Sequence, residues 1–239
     1  MAGTDVPLEF QKICKRNGLS LSDSQLNLLA RFVDGLIEWN TKINLISRRD
    51  QENIWVSHVL HSLALLFYLE LPGGIRILDL GTGGGFPGIP IAIVRPDVNV
   101  VLLDSIQKKT RVVLDLVERL GLTRVSVWTG RAEEIHRTKG AGGTFDLVLA
   151  RAVGGLSDLV RWSRPFLKVS HASPELSLVG PRIMLSSPVL VALKGGDLEK
   201  EIAQTKIKEP VRFIRTMRMS FEGSFELGLE DKKAVIVGI

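Results

Sequence analysis

Hydrophobic positions along the chain follow two successive rhythms. The first is helical. Ser22 with Gln25 makes a capping-box start, and Leu26, Leu29, Val33, Leu36 and Ile37 then share one face. Trp39 stands near the end of that helix, beside Asn40 and Asn44, which suit a turn. Asp50 is the expected N-cap of a second helix that buries Ile54, Leu60, Leu63, Leu66 and Phe67, and Leu71-Pro72-Gly73-Gly74 stops it.

The second rhythm begins at Ile75, where short apolar runs alternate with helical stretches. Ile75–Asp79, Val98–Asp104, Val125–Trp128, Phe145–Ala150 and Pro188–Leu193 read as buried parallel strands. Ile106–Leu120, Leu156–Leu167 and a polar stretch from Asp197 read as helices, with Pro165 straining the end of the second. Val211–Met219 and Ala234–Val237 have no helix between them and suit an antiparallel hairpin. The pattern predicts an α/β fold: a helical extension over 1–72 packed on a core domain over 73–239 whose sheet is mostly parallel. Ser170–Ser187 has no sustained period and is expected to be an irregular surface insertion.

Composition narrows the setting. With 45% hydrophobic and 24% charged residues the chain matches an ordinary globular protein. No apolar run approaches the roughly 18 residues that a bilayer-spanning helix needs, and Met1–Asp5 lacks the basic and apolar segments of a secretory signal. One cysteine, Cys14, excludes an internal disulfide, so a reducing cytoplasm is the expected setting. A net charge of +5 mildly favours an anionic partner. Lys206, Lys208, Arg212, Arg215 and Arg218 cluster against a single acid, Glu209, although a solvated face explains such a run equally.

Candidate chemistry centres on Asp79-Leu-Gly81-Thr-Gly83-Gly-Gly85-Phe86-Pro-Gly88, a strand end breaking into a glycine turn ahead of an apolar helix. Glycines at 81, 83 and 85 permit positive φ and close approach of a ligand, and the following helix would offer free N–H groups. Gly83, Gly85 and Gly88 match the dinucleotide pattern, so a nicotinamide dehydrogenase is one reading. Asp79 suits an ammonium better than a pyrophosphate, and Pro87 removes a donor that a phosphate would want. S-adenosylmethionine, with an amino-acid end and an adenosine end, fits these residues better. Asp104 suits a ribose diol or a helix cap, and Ala132-Glu133 falls where a loop would flank an adenine. His58 and His61 have metal-ligating spacing but no third ligand nearby, and no metal is expected.

Leu78 to Pro90 resembles the bacterial glucose-inhibited division protein B family, the small-subunit ribosomal RNA guanine-N7 methyltransferases. Trp39–Leu45, His58 within Trp55–Leu63, Leu103–Ser105, Arg131–Glu133, Ala150–Ala152 and Leu193–Gly195 match in the family's order. Ser57 and His61 stand where the family usually carries arginine and aspartate. The resemblance implies a class I, Rossmann-like methyltransferase fold with a seven-stranded sheet. It implies S-adenosyl-L-methionine as donor, S-adenosyl-L-homocysteine as product, and 16S rRNA or the small subunit as substrate, with a monomer expected. Gly81, Phe86, Ala132, Glu133 and Arg151 match its cofactor positions, and Lys194 resembles a basic position near the target nucleotide. Guanine N7 carries no proton, so no side chain is expected to act as acid or base. A binding protein on the same fold, without catalysis, is the competing class.

Overall fold

The computed structural model describes residues 5–138, 140–169, 176–179, 181–185 and 188–239. Three helices open the chain: α1 (Leu8–Arg16), α2 (Asp23–Asn40) and α3 (Arg48–Glu52). A π-helical turn at Trp55–Leu60 runs on into α4 (His61–Leu63) and α5 (Leu65–Tyr68). After β1 (Leu69–Glu70) come β2 (Arg76–Leu80), α6 (Gly88–Val94), β3 (Asn99–Asp104), α7 (Gln107–Leu120), β4 (Val125–Thr129) and α8 (Ala132–Thr138). The remainder is β5 (Leu147–Arg151), α9 (Leu156–Ser163), β6 (Leu176–Val179), β7 (Arg182–Leu185), β8 (Val189–Gly195), α10 (Glu199–Lys208), β9 (Phe213–Arg218) and β10 (Lys232–Gly238).

Seven strands form one sheet in the order β4-β3-β2-β5-β8-β10-β9. The first five run parallel, and β10 lies antiparallel to both β8 and β9. The chain reverses direction at the centre, stepping outward from β2 through β3 to β4 and then returning to β5. Such a switch point opens a crevice at the carboxyl ends of the strands. Alternation sorts the strand side chains onto two faces. Ile77, Val100 and Leu102 pack with α1, α2, α6 and α7, whereas Leu78, Leu80, Val101 and Leu103 pack with α8 and α9.

The expected capping box is present: Gln25 N–H donates to Ser22 Oγ and Ser22 N–H to Gln25 Oε1. Three expectations change. Ser47, not Asp50, caps the next helix, its hydroxyl accepting the Asp50 N–H at 3.1 Å. The helix after Leu156 ends at Ser163, two residues ahead of Pro165. Within the stretch read as irregular, β6 and β7 pair as an antiparallel hairpin, and β7 adds β1 in parallel to make a second, three-stranded sheet. Arg182 ties that hairpin to the turn after α1, donating to Gly18 O at 2.6 Å, and to β1, donating to Glu70 Oε2 at 3.1 Å. The rest of Ser170–Ser187 lies outside the described residues.

Candidate functional site

The glycine turn is shaped from below. Asp79 is completely buried beneath it, and its Oδ2 accepts the Thr82 hydroxyl at 2.6 Å and the Gly88 N–H at 2.9 Å. The first amide of α6, which the sequence offered to a ligand, is therefore spent on the protein's own carboxylate. Burial pushes the Asp79 carboxyl up to about 6, while the Thr82 and Gly88 hydrogen bonds oppose that rise. Gly88 has no room for a side chain, because a Cβ there would come within 2.3 Å of Leu102 and 2.7 Å of Asp79 Oδ2.

Above this brace the backbone takes φ of +72° at Gly81, +59° at Gly83 and +96° at Gly85, all in the region that only glycine enters freely. Space over Gly83 is open, the nearest atom to a Cβ being a backbone oxygen 4.0 Å away. Gly81 is tighter: a Cβ there would sit 2.4 Å from Val153 Cγ2.

Gly81, Gly83, Phe86, Asp104, Ala132, Glu133 and Arg151 line one cavity of about 830 Å³ at the carboxyl ends of β2, β3 and β5. Two of the residues read as ligand contacts do not. Asp79 lies under the turn and Gly85, within it, packs on Ile89, where a Cβ would come within 2.5 Å; Lys194 lines a smaller adjoining cavity of about 270 Å³. Asp104 braces the entry to α7 without being its N-cap, which is Ile106. One carboxylate oxygen accepts the Ile106 N–H ahead of α7 at 2.9 Å, the other accepts the Gly83 N–H at 3.0 Å, and the group still faces the cavity.

The other end of the cavity is cationic. Arg151 Nη2 donates to His58 Nδ1 at 2.7 Å and Nη1 to Ser57 O at 3.3 Å, while the guanidinium lies over the Phe86 ring, 5.0 Å from its centroid. Because arginine only donates, His58 Nδ1 is the acceptor and the proton sits on Nε2, 3.9 Å from Asp50 Oδ2. Burial, reinforced by the Arg151 charge, lowers His58 to about 4 and His61 to about 3, so both stay neutral near pH 7. Burial also draws Arg151 down to about 10, against the pull of Asp79 and Asp50. No carboxylate forms an ion pair with Arg151 among the described residues. Nor does any group of three acids, histidines or cysteines there have the arrangement to hold a metal.

Sequence reasoning missed Thr82, Trp162 and the Leu227–Leu229 loop, all of which line the larger cavity. Thr82 lay inside the quoted motif, but its hydroxyl acquires meaning only once the turn closes on Asp79. The Leu227–Leu229 loop carries no motif, and its approach follows from the antiparallel return of β10.

Comparison with known proteins agrees with this architecture. A family model, GidB, described as rRNA small subunit methyltransferase G, matches residues 25–173. The chain is 38% identical over 219 residues to the ribosomal RNA small subunit methyltransferase G of Bacteroides fragilis, covering 92% of this chain and 95% of that one. It is 37% identical over 195 residues to the protein of the same name from Chlorobium luteolum, covering 82% and 73%. Among solved structures, the fibrillarin/Nop5p complex aligns with a TM-score of 0.52 at 12% identity, over 75% of this chain and 79% of that one. A "predicted O-methyltransferase" of Agrobacterium tumefaciens aligns with a TM-score of 0.51 at 16% identity, again over 75% and 79%. These two likenesses concern the fold, which is of the methyltransferase type. The sheet order, the glycine turn at its switch point and the match over most of the chain lead to one conclusion: this chain belongs to the rRNA small subunit methyltransferase G family.

Proposed function

We propose that this chain transfers a methyl group from S-adenosylmethionine to N7 of a guanine in 16S rRNA, acting as a monomer in the cytoplasm on the small subunit or an assembly intermediate. In this reading residues 73–239 are the catalytic domain and residues 1–72 its helical extension. The observation that carries it is the larger cavity, where an open positive-φ glycine turn, an acceptor at Asp104 and a donor at Arg151 converge. That arrangement fits a ligand with an adenosine end and an amino-acid end. Asp104 takes the ribose diol, Ala132 and Glu133 flank the adenine, and Arg151 takes the carboxylate. Gly81, Gly83 and Phe86 give the turn its close approach. Asp79 acts from beneath, fixing the turn's shape rather than touching the ligand, and Gly85 lets the turn pack on Ile89.

The bound cofactor supplies an electrophilic methyl on a sulfonium. The protein's part is alignment, since guanine N7 presents an in-plane lone pair with no proton to remove. No acid or base is needed, and His58 and His61, neutral near pH 7, are not required to move a proton. Positive charge develops on the purine as N7 is alkylated, so Arg151 and Lys194 are assigned to groups other than N7.

Incubating wild-type and Gly81→Asp protein with unmethylated small subunits, and separately with free 16S rRNA, tests the reading. Borohydride and aniline then cut the RNA at 7-methylguanosine. Wild type is expected to yield one cut and the variant less by about a hundredfold or more, because an aspartate at φ +72° collides with Val153 and adds a third carboxylate to the two that already hold the turn. Absence of a cut with every ribosomal substrate would overturn it.

A further inference from the structure

The smaller cavity has features that the cofactor does not use. It adjoins the larger one through shared residues His61, Arg151, Ala152 and Lys232. Between the two, Ala152 holds φ of +55°, an uncommon conformation for a residue with a side chain. On the wall of this cavity Lys194, at the end of β8, meets Glu201 on α10. Lys194 Nζ donates to Glu201 Oε1 at 2.7 Å and to Gly154 O at 2.9 Å. The same Glu201 oxygen accepts the Leu156 N–H at 2.6 Å, so the carboxylate is fixed from two directions. Among the described residues Glu201 Oε2 has no hydrogen-bond partner.

We propose that this cavity receives the target guanine and that Glu201, with Lys194, reads its Watson–Crick edge. The proposal rests on the guanine-N7 reading above and adds the residue that makes the base a guanine. That edge presents two donors, N2–H and N1–H, followed by an acceptor, O6. Glu201 and Lys194 present two acceptors followed by a donor, which is the order cytosine offers guanine in a base pair. Adenine places an acceptor at N1 and a donor at N6, so it meets the carboxylate with a lone pair and the ammonium with an N–H. Unpaired RNA bases are read on this edge, and a base undergoing chemistry leaves its stack to enter such a pocket. With the Watson–Crick edge against Glu201 and Lys194, N7 stands on the adjoining edge, next to O6, and no group of this reading pairs with it. Lys194 then pairs with O6 and stays off the nitrogen where positive charge develops.

The neighbouring surface suits the RNA strand that carries the base. In the sheet register Lys194 stands opposite Lys233 on β10, and Lys233 opposite Arg218 on β9. Like charges in directly opposed positions destabilise a sheet; Glu201 answers Lys194, and Lys233 and Arg218 remain to face an anionic partner. A run of phosphates leading to the pocket supplies it.

A competition within one RNA population tests the assignment. Transcripts of 16S rRNA in which inosine randomly replaces part of the guanosine are assembled into small subunits and methylated. The ratio of 7-methylinosine to 7-methylguanosine is then measured against the inosine content. Inosine lacks only the 2-amino group, so wild type is expected to discriminate against it by about 10- to 100-fold, the effect of one lost hydrogen bond to a charged acceptor. Glu201→Gln turns an acceptor into a donor and is expected to bring the ratio to near parity. It should lower total methylation while leaving S-adenosylmethionine affinity unchanged by calorimetry. A purely structural link between α9, α10 and β8 would alter stability but not this ratio. Glu201→Asp, one methylene shorter, should give an intermediate ratio and serves if the glutamine variant does not fold. Parity in wild type, or undiminished discrimination in either variant, would overturn the proposal while the N7 reading stands. No 7-methylpurine at all from wild type would remove both.

Discussion

At the scale of single residues, Asp79 does most to make the cradle. It is a carboxylate under a glycine turn, holding one hydroxyl and one amide with the same oxygen while Oδ1 has no partner among the described residues. Burial raises its carboxyl from 3.8 to about 6 in the folded protein. A raised acid favours the folded state most below pH 3.8, and that contribution disappears as pH rises through about 6. Comparing urea unfolding of wild type and Asp79→Asn should isolate it. Wild type should gain on the order of 3 kcal/mol relative to the variant as the medium is acidified across this window. A difference between the two proteins that does not change with pH would show that Asp79 is not held in this way.

Among the elements, the π-helical turn and α4 carry the opposite dependence. His58 and His61 are buried beside Arg151 and lowered from 6.5 to about 4 and about 3. A base with a depressed value stabilises the fold above pH 6.5, and this is lost as pH falls through about 4. Acid should therefore loosen the helical layer even as Asp79 becomes easier to bury. His61→Gln is expected to flatten the acid limb of the stability curve by a few kcal/mol, read from thermal melts by circular dichroism. An unchanged limb would exclude the role.

The elements also separate what sequence makes legible from what it does not. Strands β2, β3, β5 and β8 were readable because burial on both faces leaves continuous apolar runs, such as Val100–Leu103. Helix α1 was not, since its buried set is only Phe10, Ile13 and Cys14 and Pro7 provides no side-chain cap. The β6–β7 hairpin escaped because its strands are four residues each, too short to establish a period. In the site, spacing identified the turn and Asp104, but it could not say which side of the turn Asp79 would face. That depends on α6 folding back until Gly88 meets its carboxylate. Glu201 was invisible for a similar reason: nothing local in α10 announces that Lys194, on another element, lies 2.7 Å away.

For the whole molecule, a net charge of +5 matters less than where the cations stand. If Lys233 and Arg218, opposed on β10 and β9, follow single-stranded RNA, affinity will fall steeply with salt. Lys233→Ala should reduce the slope of log affinity against log salt by about 0.7, the value for one phosphate contact on a single strand. A slope equal to that of wild type, measured by filter binding over a salt series, would place the RNA elsewhere. The folding of the whole chain has a constraint of its own. Strand β10 is the last element in sequence, yet it lies inside the sheet between β8 and β9, with Val235, Ile236 and Val237 fully buried. During synthesis the strands from β2 to β5 can assemble early, but β8 and β9 have no shared neighbour until residue 238 has emerged. Until then the growing chain presents the unpaired edge of β8, a template for pairing with other chains. A ribosome stalled a few codons short of this strand would display an adhesive fragment, so the tail is a poor place to truncate and the interval before β10 the moment when a chaperone matters most.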